Sequence, residues 1–216
     1  GYQAGYTTQT GANLTLVGYR AGFSNTAANL TAVGYGAATA NTTGTENTVM
    51  GVNSMVSNTT GSYNTALGRS ALNANTTASN NTAVGYQASY SISTNASTTS
   101  VGYQAGYANT SALNTFIGAS AGRYSTTGGY STAVGASALS SNSGGSDGDH
   151  AVAVGYAALY SNQNGDYNTA LGSQALYSNT TASHNTAVGY TAGYSNTTGT
   201  ENTAVGSFAL YTNSTG

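Results

Sequence analysis

The chain has 216 residues and a formal net charge of −2, with only three Lys or Arg and five Asp or Glu side chains. A surface with so few cations lacks the basic stripe that nucleic acid or anionic lipid requires. No apolar run approaches the length of a membrane-spanning helix. We therefore expect neither a nucleic-acid partner nor membrane insertion. There is no Cys, so no disulfide framework bears on the fold.

A repeat of 17 residues runs through the whole chain, anchored on thirteen glycines. Neighbouring anchor glycines are 17 residues apart in nine of twelve intervals, 16 apart in two and 20 apart in one. Such regular self-similarity is typical of one small unit stacked on copies of itself. The anchor glycines are Gly1, Gly18, Gly34, Gly51, Gly68, Gly85, Gly102, Gly118, Gly135, Gly155, Gly172, Gly189 and Gly206.

A short strand is predicted just before each anchor glycine. The residue directly before the glycine is aliphatic in all twelve repeats that have one, and Thr stands two residues earlier in eleven of them. Residues two apart share one face of an extended chain, and β-branched side chains favour strands. We expect this aliphatic column, which includes Val84 and Val188, to be buried. The third residue after the glycine is Ala in twelve of thirteen repeats, which indicates a tight position.

A polar turn is predicted after each glycine corner. The seventh residue after the glycine is Asn in ten of thirteen repeats, usually within Ser-Asn-Thr-Thr-Gly as at Ser195–Gly199. The apolar residues follow no helical period, and Gly, Asn, Thr and Ser are dense throughout. The sequence therefore predicts an all-β chain: a single repeat array over residues 1–216, forming an elongated parallel β-solenoid (β-roll) of about thirteen 17-residue coils.

The one long interval predicts a small bulge at residues 141–150. Asp147 and Asp149 lie in it and could offer oxygens to calcium, but the full acidic ligand set of a loop site is missing. His150 and His184 both stand five residues before an anchor glycine, at a position that varies freely among the repeats. No spacing suggests a nucleophile with its base. We expect no enzymatic activity, no cofactor and no metal site.

Two aromatic columns are candidate glycan contacts. Tyr follows the anchor glycine directly in seven repeats, and Tyr or Phe stands five residues after it in eight. Stacked coils would turn each column into an aromatic ladder, which either packs against neighbouring side chains or offers ring faces to sugars. The candidate glycan-stacking residues are Tyr86, Tyr103, Tyr160, Tyr177, Tyr190 and Tyr194.

Asn-X-Ser/Thr sequons are dense in the turn column and would display glycans along one edge of the array. The alternative is that these turns use Asn for its own turn-forming chemistry. The candidate glycosylation sites are Asn41, Asn58, Asn75, Asn109, Asn179, Asn196 and Asn213.

Residues 81–86 and 185–190 read Asn-Thr-Ala-Val-Gly-Tyr, and residues 29–35 read Asn-Leu-Thr-Ala-Val-Gly-Tyr. These stretches resemble the Asn-Ser-Val-Ala-Ile-Gly signature of trimeric autotransporter adhesin heads. They are also similar to the Asn-Thr-Ala-Val-Gly-Tyr-Gln-Ala-Leu repeats of bacterial and phage tail-fibre-type proteins. The resemblance implies a left-handed β-roll, three chains side by side, and attachment at a cell or virion surface. The coils here are longer than those of the adhesin heads.

Three functions follow as hypotheses. The first is a structural extracellular fibre or stalk, assembled as a homotrimer or an end-to-end filament, that mediates attachment at a cell or virion surface. The second is a glycan-binding module that uses the Tyr ladders. The third is ice binding, which requires a flat Thr-X-Thr face and is disfavoured because the residue two after each strand Thr is an aliphatic residue such as Val or Leu that we expect to be buried.

Overall fold

A computed structural model describes residues 1–8, 11–126, 128–141 and 150–215. The chain forms two compact units, Gly1–Gln104 and Ala105–Gly216. The first unit contains β1 (Thr15–Val17), β2 (Leu30–Val33), β3 (Asn47–Met50), β4 (Thr65–Leu67), β5 (Thr82–Val84) and β6 (Thr99–Val101). The second contains β7 (Thr115–Ile117), β8 (Thr132–Val134), β9 (Val152–Val154), β10 (Thr169–Leu171), β11 (Thr186–Val188) and β12 (Thr203–Val205).

Consecutive strands within each unit pair in parallel, and every pair joins equivalent positions of the repeat. In β5–β6, for example, Thr82 lies opposite Thr99 and Val84 opposite Val101. The described residues contain no helix. The prediction of an all-β parallel solenoid is therefore confirmed, with a strand before each anchor glycine except the first. The long interval leaves the register intact, since Thr132 lies opposite Val152 in β8–β9. The predicted bulge at 141–150 falls mostly on residues 142–149, which lie outside the described residues.

The prediction that the aliphatic column is buried is wrong. In nearly every strand the middle residue faces the interior, and the first and third residues face outward. Ala83 and Ala187 have no exposed surface, whereas Val84 and Val188 are only half-buried, and Val205 is 69% exposed. The prediction that Thr and the aliphatic residue share one face of the strand is confirmed. That face lies outside because the interior of a coil is thin, and in most coils the middle strand residue that enters it is Ala.

The interior is filled by complementary side chains six residues apart. Where the middle strand residue is large, as in Phe116 and Leu16, the residue six positions later is Gly122 or Gly22. A Cβ on Gly22 would lie only 2.8 Å from Leu16 Cδ2. Val49 with Met55 is an exception in which both side chains are large and buried. Elsewhere, where the later residue is Leu, the strand residue is Ala, so that a large side chain packs beside a small one. These pairs are Ala66 with Leu72, Ala133 with Leu139, Ala153 with Leu159, and Ala170 with Leu176.

The anchor glycines are required by both conformation and space. Gly34 has a φ of 137°, in a region that residues with a Cβ rarely enter. A Cβ at Gly34 would lie 2.6 Å from the carbonyl oxygen of Gly51 in the next coil. The predicted tight column is confirmed as well, since Ala37, Ala71 and most of its other members are fully buried.

Candidate functional site

The Asn residues of the sequon column form a buried ladder. Asn58 Nδ2 donates to Asn41 Oδ1 at 2.6 Å and to the carbonyl oxygen of Gly61 at 3.0 Å, and Asn58 Oδ1 accepts from Asn75 Nδ2 at 2.8 Å. Asn179 and Asn196 repeat this pattern in the second unit. Asn109 is also fully buried, and only Asn213 of the candidate sequons is half-exposed.

This geometry bears directly on the glycosylation hypothesis. Both Nδ2 hydrogens of Asn58 are donated inside the coil, and a glycan would replace one of them. The folded chain therefore offers no room for a sugar on the buried members of the column. The hydrogen bonds that these Asn side chains make within the turn and along the ladder explain why Asn recurs at this position.

A second buried Asn ladder lies just before the strands, and the sequence analysis missed it. Asn64 Oδ1 accepts from the backbone N–H of Asn81 at 3.0 Å, while Asn64 Nδ2 donates to the carbonyl oxygen of Ala78 at 2.9 Å. Asn168 makes the same bonds to Asn185 and Ala182. The Asn at the start of each Asn-Thr-Ala-Val-Gly stretch was the available signal.

The two predicted aromatic columns do form ladders. Tyr177 stacks between Tyr160 and Tyr194, with ring centroids 5.1 Å apart and planes within 5° on both sides. Tyr86 stacks on Tyr103 at 5.5 Å. Because neighbouring rings cover the ring faces, a sugar cannot stack within a ladder. Ring edges and hydroxyls remain accessible, and Tyr103 and Tyr190 are 55% and 50% exposed. The arrangement favours packing over sugar stacking for rings inside a ladder, such as Tyr177. Tyr103, by contrast, has Ala119 at the next position of its column, and Tyr190 meets Phe208 edge-on.

Burial raises the pKa of the Tyr177 phenol above its ordinary value, and the neighbouring Tyr160, Tyr194 and Tyr156 raise this pKa further. The shift follows from stacking one phenol between others, because each ring shields the next from water and repels its charged form.

A third aromatic strip was not predicted. His150 stacks between Tyr130 and Tyr167 with centroids 5.0 Å away on each side, and Tyr167 stacks on His184 at 5.2 Å. All four rings are exposed and stand on residues with φ near 60°. Sequence reasoning treated the column as a variable turn, because only the stacking of coils brings these residues together.

No metal centre emerges from the part of the chain that is described. There, no group of three or more His, Cys, Asp and Glu residues could hold an ion. The calcium candidates Asp147 and Asp149 lie outside that part. Both histidines, His150 and His184, belong to the exposed aromatic strip.

The strands of each unit also present an outer strand face. We define it as the residues three and one before each anchor glycine, which give a column of Thr, with Val152 in β9, beside a column of Val, Leu, Ile or Met. Met50, Ile117 and Leu171 on this face are 38–46% exposed. No strand residue carries a charge. Side chains along each column repeat about every 4.8 Å, the spacing of paired strands.

Comparisons with protein-family models, with curated proteins and with solved structures found nothing that matches this chain. Over the described residues, no helix is long and apolar enough to cross a membrane.

Proposed function

We propose that this chain is a structural segment of an extracellular fibre or stalk, which packs through its outer strand face against copies of itself. The observation that carries the proposal is the column of half-buried and exposed aliphatic side chains on an uncharged strand face. Contiguous apolar surface of this kind usually marks an interaction site. A copy of the same chain fits best, because its columns repeat with the same spacing as those they would meet.

The assembly we propose is a homotrimer, with an end-to-end filament as the alternative. The resemblance to adhesin heads and tail-fibre-type repeats supports three chains side by side and a left-handed winding. The same resemblance supports attachment at a cell or virion surface as the role of the fibre. Surface glycans are the proposed partners, reached through ring edges and hydroxyls rather than through ring faces within the ladders.

One pair of substitutions in β11 separates assembly from folding. Val188→Asp places a charge on the outer strand face and should break self-association while leaving the β fold intact. Ala187→Asp buries an unpaired charge and should destabilise the solenoid by several kcal/mol, roughly the cost of a buried charge without a partner. Native mass spectrometry measures the assembly, and circular dichroism with thermal unfolding measures the fold.

The exposed turn residue Thr181 provides the control, because Thr181→Asp should change neither quantity. A Val188→Asp chain that assembles like the unmodified one would refute the proposed role of the outer strand face.

Ice binding is the second candidate, favoured by the outward direction of the strand Thr and Val side chains. The strand Thr side chains form a column on the outer strand face, where Thr82 and Thr186 are half-buried. The face has one Thr column rather than two, which ranks this function below self-assembly. Thermal hysteresis measured on the unassembled chain tests it, and a hysteresis that Thr186→Asp abolishes would favour ice binding.

A further inference from the structure

We propose that a notch in the first unit, between Arg20 and Asn53, binds the carboxylate group of an acidic sugar. The notch is a cavity of about 320 Å³ lined by Tyr19, Arg20, Tyr35, Gly36, Thr39, Asn53 and Val56. The proposal rests on the proposed attachment function and names one chemical class of partner for it.

A missing side chain creates the notch. Residues two after the anchor glycine form a column, in which the Gln104 amide donates to Gln87 Oε1 at 2.8 Å across neighbouring coils. At Gly36 the column has no side chain, and the side-chain oxygen of Asn53 lies over the glycine, since a Cβ on Gly36 would come within 2.5 Å of Asn53 Oδ1. The notch therefore lies between the Arg20 side chain and the Asn53 amide.

Arg20 brings an unneutralised cation to this space. Its guanidinium carbon lies 4.1 Å from the centre of the Phe23 ring, which holds the side chain in place. Its Nε is buried and has no hydrogen-bond partner. Glu46, the one acidic side chain of the first unit, is not its partner and instead accepts a hydrogen bond from Asn29. A guanidinium that is fixed but unpaired is suited to a carboxylate, which it can bind through two parallel hydrogen bonds.

The remaining lining suits a sugar ring rather than a bare anion. Tyr35 ends the ladder that runs from Tyr2 through Tyr19, because the next residue in its column is Val52. A terminal ring keeps one face free of aromatic neighbours, unlike rings inside a ladder. The side-chain amide of Asn53 lines the notch and can serve sugar hydroxyls as donor and acceptor. The volume lies at the lower end of the roughly 300–1,000 Å³ range of small-ligand pockets.

The test uses D-glucuronate as the probe, titrated into the full chain and followed by ligand-observed NMR. Arg20→Gln should weaken glucuronate binding about tenfold or more, the loss expected for a charge-assisted hydrogen bond. Gly36→Gln should weaken it similarly by filling the notch. Gln is suited to this backbone, since Gln87 and Gln104 hold equivalent positions with φ of 54° and 51°. Arg69→Gln removes the same charge elsewhere and should leave affinity within about twofold.

Two further probes define the ligand class. D-glucose should bind at least about tenfold more weakly than glucuronate, because it lacks the carboxylate. Inorganic phosphate should also bind more weakly, because it lacks the ring. Equal affinity for either probe, an equal loss in Arg69→Gln, or no binding of glucuronate to the unmodified chain would overturn the proposal. Native mass of the same samples reports assembly separately, so an unassembled chain that still binds glucuronate would contradict only the proposed fibre.

Discussion

At the scale of single residues, this molecule uses Asn as an internal hydrogen-bonding unit. Sequence reasoning located the Asn column and its turn, but it did not establish the direction of the side chains. Asn suits an exposed turn as well as a buried ladder, because in both it bonds nearby backbone groups. The buried arrangement is favourable only because the neighbouring coil places another Asn at the same position of the repeat. The side chains of Asn41, Asn58 and Asn75 are hydrogen-bonded one to the next in this way.

The buried Asn ladder predicts that the free energy of unfolding is sensitive to substitution of Asn58. Asn58→Ala would leave Asn75 Nδ2 without its acceptor and Asn41 Oδ1 without its donor in the two neighbouring coils, so we expect a loss of about 1–3 kcal/mol or more. Thr60→Ala, two residues away on an exposed side chain, should change stability by less than about 0.5 kcal/mol. Denaturant unfolding measures both, and similar losses in the two variants would contradict a structural ladder.

At the scale of elements, the positions of the strands and turns were predictable because the repeat is strict. Which face of each strand points into the interior was not predictable. Hydrophobic type indicated that Val84 is inside, yet Ala83 takes that place. The physical reason is thickness, since the interior of a coil holds the middle strand residue together with a partner six positions later, and at least one of the two is usually small. The relation between Phe116 and Gly122 is an example. It could not be predicted because the period of the repeat does not show which side chains meet inside a coil.

The six-residue complementarity predicts compensation between Phe116 and Gly122. Phe116→Ala should cost about 3–5 kcal/mol by leaving a cavity. Adding Gly122→Leu should recover part of this loss, because Ala133 and Leu139 form the same pair in the next coil. Gly122→Leu alone should destabilise the fold, since its side chain would collide with the Phe116 ring.

A double-mutant cycle in denaturant measures the coupling between these two positions, for which we expect about 0.5–3 kcal/mol in favour of the double variant. Losses that simply add would show that the two side chains do not share one interior space.

The Tyr ladder of the second unit predicts a loss of stability in alkali. Because the pKa of Tyr177 is raised in the folded chain from its ordinary value of 10.0, the unfolded chain gives up this proton first as the pH rises. Above pH 10 the unfolded state therefore binds fewer protons than the folded state. The contribution of Tyr177 to the free energy of unfolding is present below pH 10 and declines above it. Thermal unfolding at increasing pH should show a shallower decline in Tyr177→Phe. Identical slopes in the two proteins would argue against the shift.

At the scale of the whole molecule, stability is built by contacts between neighbouring coils. Backbone bonds such as Gly68 N–H to the carbonyl oxygen of Met50 join each coil to the next, and the core positions meet only adjacent equivalents. Such arrays behave as sums of repeat and nearest-neighbour terms. The sequence predicted this organisation well, because a fixed period determines which residues are stacked. It could not predict the notch at Gly36, which depends on which side chain is absent between two coils.

Nearest-neighbour stacking makes a final prediction about deleting a repeat. Removing residues 51–67, one full period within the first unit, should leave a folded solenoid, because Asn41 and Asn75 then become neighbours in one ladder and Asn47 and Asn81 in the other. Removing residues 51–59, about half a period, should abolish folding of the adjacent coils, since every later column would meet the wrong partner. Far-ultraviolet circular dichroism and cooperative thermal unfolding compare the two deletions. A chain that tolerates both equally would mean that register between coils does not determine the fold.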